Sequence, residues 1–219
     1  ARGDVLDVAA AADVPITLGG AARYNVANAL AAIAVADALG VPPAAIRAGL
    51  VGFESTPDSN PGRLNLFDVG GVRVLVDYAH NPHGVRALND VIRGLGGRRR
   101  LVAIDQAGDR DDAALADLAR ATLEGRPDAV IVKELRSHLR GRPEGEVPRV
   151  LAAALAAQGF PAASIAFAGD ELEALDLALA WAEPGDLVVL MVHAQRQAVI
   201  DRLAAGGSAP SSHRPPPMA

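Results

Sequence analysis

The segment Leu75–Leu88, LVDYAHNPHGVRAL, joins an apolar strand to a helix through a turn that is crowded with polar side chains. Asp77 follows the apolar run directly, and two histidines and an asparagine surround Pro82. Proline is favoured at the first turn of a helix because an N–H there would have no intrahelical partner. The stretch therefore predicts a β-strand that leads straight into an α-helix, with polar groups collected in the connection.

Alternating strands and helices continue from this stretch to about residue 205. The strands are nearly continuous runs of Val, Ile, Leu and Ala, which is typical of a parallel sheet that is covered on both faces. We predict an α/β fold: a Rossmann-like, mostly parallel sheet with helices on both faces and an N-terminal hairpin. The predicted elements are the hairpin Leu64–Tyr78, then helix Pro82–Leu95, strand Arg100–Asp105, helix Asp111–Glu124, strand Asp128–Lys133, helix Glu146–Gln158, strand Ser164–Gly169, helix Glu171–Ala182, strand Asp186–Val192 and helix Gln195–Ala204.

The residues before the hairpin follow a different pattern. We predict a short strand at Val14–Gly20 and two helices, Ala22–Leu39 and Val41–Phe53. The segment Glu54–Arg63 is rich in Pro, Ser, Asp and Asn, which is typical of a domain boundary. The predicted organisation is a helical piece at residues 1–56, the α/β domain at 57–205 and a disordered tail, rich in Pro and Ser, at 206–219.

Composition limits the class of protein. The 219 residues are 50% hydrophobic and carry a formal net charge of −5, so a packed core is expected and a nucleic-acid partner is not. The absence of cysteine excludes disulfides and thiolate metal sites, which suits a cytoplasmic protein. No apolar run reaches the roughly 20 residues that span a bilayer, so we expect no membrane association.

Polar residues follow successive strands of the predicted sheet. In open α/β sheets, ligands bind outside the carboxyl ends of the strands. The sequence therefore predicts a ligand site at that edge. The candidates are Asp77, His80 and Asn81 after the first parallel strand, Gly108, Asp109 and Arg110 after the second, and Arg140 and Arg142 after the third.

Several of these residues also have a purely structural interpretation. Asp77 on its own can cap a turn, and acids at Asp111 and Asp112 are favoured at a helix start by the macrodipole. Gly108 lies before the same helix and can offer backbone N–H groups to an anion. The segment Leu139–Glu146 is either a solvated loop or an arginine clamp for a carboxylate.

The histidines do not predict a metal centre. His80 and His83 are three residues apart, but no third ligand has a convincing spacing. His138, His193 and His213 are interpreted as incidental. The sequence also contains no G-x-x-x-x-G-K-[ST] phosphate loop and no G-x-G-x-x-G fingerprint. The residues alone therefore predict an α/β domain with a polar ligand edge and leave the activity open.

Three ordered blocks carry a resemblance to a known family. They are GGAARYNVANALAAIAVADALG, NPGRLNLF and VLVDYAHNPHGVRAL, followed by GDRDD and RGRPEGE. The chain resembles the Mur ligase superfamily, in particular its cyanophycin synthetase branch. The resemblance implies the C-terminal portion of an ATP-dependent amide ligase. Such an enzyme activates a carboxylate as an acyl phosphate, which an amine then attacks.

The resemblance also implies roles for individual residues. Asp77 would bind the ribose hydroxyls of ATP, Arg63 would reach the phosphates, and His80 completes the set of catalytic candidates. Asn28 would face the adenine, Asn25 would organise the same adenine wall, and Asn81 would line the cleft beside His80. At the adenine side, Tyr24 stands where much of the family has His. Gly108, Asp109, Arg110, Arg140 and Arg142 would face an amino-acid or peptide substrate.

The resemblance leaves two hypotheses open. The resemblance implies that residues 1–56 are the C-terminal end of the family's central ATPase domain and that residues 57–205 are its C-terminal domain. In the family, the phosphate loop and the Mg²⁺ ligands lie in the part of the central domain that is missing here, so this chain should be inactive alone. Alternatively, it is a non-catalytic binding or assembly module. Aspartate, arginine or their dipeptide are the building blocks that the branch suggests, while muramyl or folate-type substrates remain open. We also expect a homo-oligomer.

Overall fold

The computed structural model describes residues 6–206, which divide into two compact units with the boundary in the chain between Ser55 and Thr56. The predicted disordered tail lies outside the described residues except for Gly206, which ends the last helix. Among the described residues, no helix is both long enough and apolar enough to cross a membrane.

The first unit is helical. Helix α1 spans Arg23–Ala38 and helix α2 spans Pro43–Gly52, close to the predicted ranges. The predicted strand at Val14–Gly20 is wrong, because two 3₁₀ turns, Ala11–Asp13 and Pro15–Thr17, occupy this region. The buried Thr17 hydroxyl lies 2.6 Å from the carbonyl of Ala11 and 2.8 Å from that of Val14, and this local bonding competes with an extended conformation.

The second unit alternates strands and helices as the sequence predicts. Its strands are β1 Asn65–Val69, β2 Val72–Asp77, β3 Arg100–Ile104, β4 Ala129–Lys133, β5 Ile165–Ala168 and β6 Leu187–Met191. Its helices are α3 Pro82–Leu95, α4 Asp112–Glu124, α5 Glu146–Ala157, α6 Glu171–Trp181 and α7 Arg196–Gly206.

The six strands form one sheet in the order β1-β2-β6-β3-β4-β5. β1 pairs with β2 in an antiparallel hairpin, and every other pairing is parallel. Gly70 and Gly71 both have positive φ, which the tight turn of the hairpin requires. Because β6 lies between β2 and β3, the residues that follow these three strands come together at one edge. Asp77 pairs with Met191 in this register.

Apolar side chains on alternate strand positions supply the core on both faces of the sheet. On one face, Val74, Leu101 and Val188 belong to a cluster that includes residues of α6 and α7. The intervening positions, such as Leu75, Val102 and Val189, are also buried, and α3, α4 and α5 form a packed row with buried apolar faces. The α/β class with helices on both faces is therefore confirmed.

Short polar side chains begin the helices that start at the carboxyl edge of the sheet. Asn81, Asp111 and Asp170 are the N-caps of α3, α4 and α6, and each accepts a hydrogen bond from the backbone N–H three residues later. This bond satisfies one of the N–H groups that a helix start leaves without an intrahelical partner. These caps fix where the loops of the site end.

Candidate functional site

Asp77 ends β2 and lies mostly buried, with 8% of its surface exposed. Its two carboxylate oxygens accept hydrogen bonds from the backbone N–H groups of Leu64 (3.1 Å) and Ala79 (2.9 Å). Burial raises the pKa of Asp77, and these hydrogen bonds and nearby Arg63 oppose that shift in part. The side chain is therefore a fixed, poorly solvated acceptor at the edge of the sheet.

Arg63 lies beside Asp77 on the turn that leads into β1. Its guanidinium carbon stands 4.5 Å from the centroid of the Tyr78 ring, which is a cation–π distance. The turn is held by Asn65, whose side chain accepts from the N–H of Gly62 at 2.6 Å and donates to the carbonyl of Asn60 at 3.2 Å. The Arg63 guanidinium therefore extends from a turn that the Asn65 side chain stabilises by hydrogen bonds.

His80 and Asn81 occupy the connection between β2 and α3. The exposed His80 ring has Nδ1 at 3.2 Å from the carbonyl oxygen of Tyr78 and Nε2 at 3.3 Å from the amide nitrogen of Asn81. The Asn81 oxygen caps α3 by accepting from the N–H of Gly84 at 2.8 Å. Asn81 therefore has a structural role in addition to the predicted place in the cleft.

The buried cluster of Asp105, Lys133, Glu171 and His193 lies at the same edge, and sequence reasoning did not include it in the site. The Lys133 ammonium contacts Asp105 and lies 3.5 Å from Glu171, and His193 Nδ1 lies 2.6 Å from Asp105 Oδ1. Burial alone would raise the pKa of Asp105, but the Lys133 ammonium and His193 outweigh it and lower that pKa. A carboxylate is thereby kept ionised in a place from which water is excluded.

Glu171 ties the loop after β6 to the start of α6. Its carboxylate accepts from the backbone N–H groups of His193, Ala194 (3.1 Å) and Gln195 (2.6 Å). In return, the side-chain oxygen of Gln195 accepts from the N–H groups of Glu171 (3.0 Å) and Leu172 (3.2 Å). The loop is therefore clamped from both sides.

The acidic and imidazole groups of the buried cluster also meet the distance criterion of a metal site. Ligand atoms of Asp105, Glu171 and His193 all lie within 4.8 Å of one another. The Lys133 ammonium, however, already contacts Asp105 and lies close to Glu171, where it supplies the positive charge that the carboxylates need. We therefore interpret the cluster as a buried ion-pair network.

The predicted substrate-facing residues come together where the loop after β3 contacts the loop after β4. Arg140 Nη1 lies 2.6 Å from Asp109 Oδ2, and both side chains are about half exposed. Arg142 is more buried and binds the carbonyls of Gly108 (3.1 Å) and Arg110 (2.7 Å), as well as the Asp112 carboxylate. Arg142 thus bridges two loops, whereas Arg140 stands at the surface of the same assembly.

The two asparagines of the predicted adenine wall lie in the first unit. Buried Asn25 donates to the carbonyl of Ile16 at 2.8 Å, and its own side-chain oxygen accepts from Asn28 at 3.2 Å. Asn25 therefore orients Asn28 on the neighbouring turn of α1.

Comparison with known proteins identifies the family. The family model described as Mur ligase, glutamate ligase domain, matches residues 62–192, which is more than half of the chain. The chain belongs to the Mur ligase family. The matched region begins beside Arg63 and includes Asp77 and three members of the buried cluster, and it ends one residue before His193.

Curated relatives of this Mur ligase domain include two kinds of ligase. The cyanophycin synthetase of Geminocystis herdmanii is 36% identical over 185 residues, which are 84% of this chain and 21% of the relative. That of Synechocystis sp. is 42% identical over 107 residues, 49% of this chain and 12% of the relative. The UDP-N-acetylmuramoyl-L-alanyl-D-glutamate–2,6-diaminopimelate ligase of Corynebacterium efficiens is 34% identical over 186 residues, 81% of this chain and 33% of the relative. The chain thus spans between about an eighth and a third of these relatives.

Solved structures agree with this placement. The E. coli FolC structure with ADP has a TM-score of 0.58 at 28% identity and covers 82% of this chain and 40% of its own. A murein peptide ligase from Psychrobacter arcticus has a TM-score of 0.56 at 24% identity, covers 83% of this chain and 36% of its own, and shows the shared fold.

Proposed function

We propose that this Mur ligase domain is the C-terminal portion of an ATP-dependent amide ligase of the cyanophycin synthetase kind. The ligase would activate a substrate carboxylate as an acyl phosphate and join an amino acid to it. The observation that carries the proposal is the pair formed by Asp77 and Arg63. A buried carboxylate and a stacked guanidinium stand side by side at the sheet edge where α/β folds bind ligands. The named relatives are ligases of this family.

The chemistry of the pair suits a nucleotide. A fixed carboxylate is a good acceptor for ribose hydroxyls, and a guanidinium matches phosphate oxygens in charge and geometry. We assign Asp77 to the ribose of ATP, Arg63 to its phosphates, and Asn25 and Asn28 to its adenine. His80 and Asn81 would line the same cleft. The ligands for Mg²⁺ are expected outside this chain.

The arginine loop suggests which substrate the domain would face. Arg140 and Arg110 lie near Asp109 at the surface, and the Arg140 guanidinium lowers the pKa of Asp109. An incoming carboxylate could exchange with Asp109 as the partner of Arg140. We propose an acidic amino acid or peptide as the substrate, with aspartate, arginine or their dipeptide as the building blocks to test first.

The test uses the complete enzyme that contains this domain. Arg63→Ala and Asp77→Ala should each lower kcat/KM for ATP by about 10²-fold, because each removes a charge-assisted contact that is made in the transition state. Arg202→Ala and Asp176→Ala are matched controls, since this exposed pair joins α7 to α6 away from the edge. Wild-type rates in both test variants would refute the proposed function.

We also propose that the chain self-associates through its first unit. Leu30, Val35 and Leu39 of α1 and its C-cap are 62–78% exposed, which is unusual for large apolar side chains. Sedimentation at increasing protein concentration should detect a dimer that Leu30→Glu and Val35→Glu together abolish, while Phe167→Glu, on the exposed β5 of the other unit, leaves it intact. A monomer at all concentrations would contradict the proposal.

A further inference from the structure

His193 is a member of the buried cluster that contacts the connection between β2 and α3, at Tyr78 and Ala79. Its side chain is only 7% exposed. Nδ1 lies 2.6 Å from Asp105, and Nε2 lies 3.2 Å from the carbonyl oxygen of Ala79. Both ring nitrogens therefore lie close to polar atoms, two residues beyond the end of β6.

The His193 ring packs against the ring of Tyr78. The two ring centroids are 4.9 Å apart at an interplanar angle of 77°, which is a favourable edge-to-face geometry. The same tyrosine carries the Arg63 guanidinium at 4.5 Å from its centroid. His193, Tyr78 and Arg63 thus form a chain of direct contacts that runs from the buried cluster to the exposed cation.

A second contact links the same part of the chain to Arg63. Gly62, the residue before Arg63, has φ +72°, and a Cβ built on it would overlap with the Arg196 side chain. Arg196 begins α7, three residues after His193, and Glu171 clamps the intervening loop. The turn that carries Arg63 therefore lies against the first residue of α7 as well as against Tyr78.

We propose that His193 is a positioning residue: it fixes the Tyr78 ring and, through that ring, the direction of the Arg63 guanidinium. Without the imidazole edge, the tyrosine gains rotational freedom and the guanidinium loses its platform. The catalytic consequence of this arrangement rests on the proposed function, but the arrangement itself is a property of this chain.

The direct test is the NMR signature of Arg63 in the 219-residue chain. Protons of the Arg63 side chain over the Tyr78 face carry a ring-current shift. His193→Gln keeps polar groups for Asp105 and Ala79 but removes the ring, and His193→Leu keeps comparable volume. The amide spectrum and the thermal midpoint show whether each of these two variants is folded. In a folded variant, we expect the ring-current shift of Arg63 to be lost. His193→Phe is the matched control and should retain it.

Two results would overturn the inference. One is an unchanged Arg63 signature in a folded variant that lacks the ring, and the other is an equal loss in His193→Phe. In the complete enzyme, His193→Gln should lower kcat/KM for ATP by roughly 5- to 10-fold, mainly through KM, the range of a cation–π contact. If Arg63→Ala has no effect on rate, the proposed function fails, while the NMR result still decides the positioning role.

Discussion

Two aspartates at the carboxyl edge of the sheet show how the surroundings of a carboxyl group decide its charge state. Asp77 ends β2, and Asp105 directly follows β3. Asp77 and Asp105 are both buried, but the pKa of Asp77 is raised and that of Asp105 is lowered. The two pKa shifts differ in direction because the two carboxylates have different hydrogen-bonding and charged partners. Backbone N–H groups only partly offset the desolvation of Asp77, whereas the Lys133 ammonium and His193 together outweigh that of Asp105. Burying ionised Asp77 therefore costs stability above its folded-state pKa, which is consistent with the binding role that we propose for it.

A substitution at Gly62 tests whether the contact with Arg196 stabilises the turn that carries Arg63. Gly62→Ala combines an unfavourable positive φ with displacement of the exposed Arg196 side chain, so we expect a loss of unfolding free energy of about 1–3 kcal/mol in urea titrations. Gly40→Ala is the matched control, because Gly40 has φ +77° with no neighbour within 4 Å. It should show the backbone strain alone, about 1 kcal/mol. Equal losses in the two variants would mean that Arg196 does not support the turn.

Asp186 sets the acid sensitivity of the second unit. Its side chain is fully buried and binds Arg98 and Arg99, and hydrogen bonds from Arg99 contribute most to holding its pKa far below the ordinary range. A lowered pKa adds stability above the unfolded-state value near ~4, and that stability is lost as the pH falls toward the folded-state value. Asp186→Asn should therefore cost about 1–3 kcal/mol at pH 7, and its difference from wild type should shrink below pH ~4.

The control for this prediction is Asp176→Asn, which removes one charge of the exposed pair with Arg202 and should change stability by less than ~1 kcal/mol. Urea unfolding of all three proteins between pH 7 and pH 3 makes the measurement. A difference between Asp186→Asn and wild type that stays constant across this range would contradict the linkage.

At the scale of elements, local signals identify each strand and helix of the second unit but not the neighbours of β6. Apolar runs and Pro82 predict the bounds of β2 and α3 to within one residue, because these signals act within one segment. The insertion of β6 between β2 and β3 is a long-range pairing. The buried cluster depends on that pairing, so His193 reads as incidental in the sequence and lies at the centre of the edge in the fold. An acid and a lysine at the ends of two apolar strands were the available signal.

The loops after β3 and β4 are a second assembly of elements. A Cβ on Gly108 would overlap with the backbone carbonyl oxygen of Leu139, so the two loops lie in direct contact. Gly108→Ala should push them apart, cost about 1–3 kcal/mol in urea unfolding, and speed hydrogen exchange across residues 139–145. Gly49→Ala, in α2 with open space around it, is the control and should be neutral or slightly stabilising. Unchanged exchange in Gly108→Ala would show that the loops do not depend on this contact.

At the scale of the whole molecule, the groups proposed to bind the nucleotide are divided between the two units. Asn25 and Asn28 belong to the first unit, and Arg63 and Asp77 to the second. The pairs are each held by their own unit, through Ile16 in one and through Leu64 and Tyr78 in the other. The residues proposed to contact ribose, adenine and phosphate are therefore organised locally within each unit.

This division predicts how the 219-residue chain binds ATP by itself. Tight binding of a triphosphate depends on a cradle of backbone N–H groups with a lysine, and the sequence contains no such loop. Asp77 and Arg63 supply two polar contacts, which is too little for a Kd below ~1 µM, an affinity that corresponds to about −8.2 kcal/mol. Calorimetry should accordingly detect only weak binding of ATP, with ADP similar and Asp77→Ala weaker still. A sub-micromolar Kd for ATP would contradict the proposal that this chain contains only part of the nucleotide site, because the two units would then have to contain a phosphate site of their own.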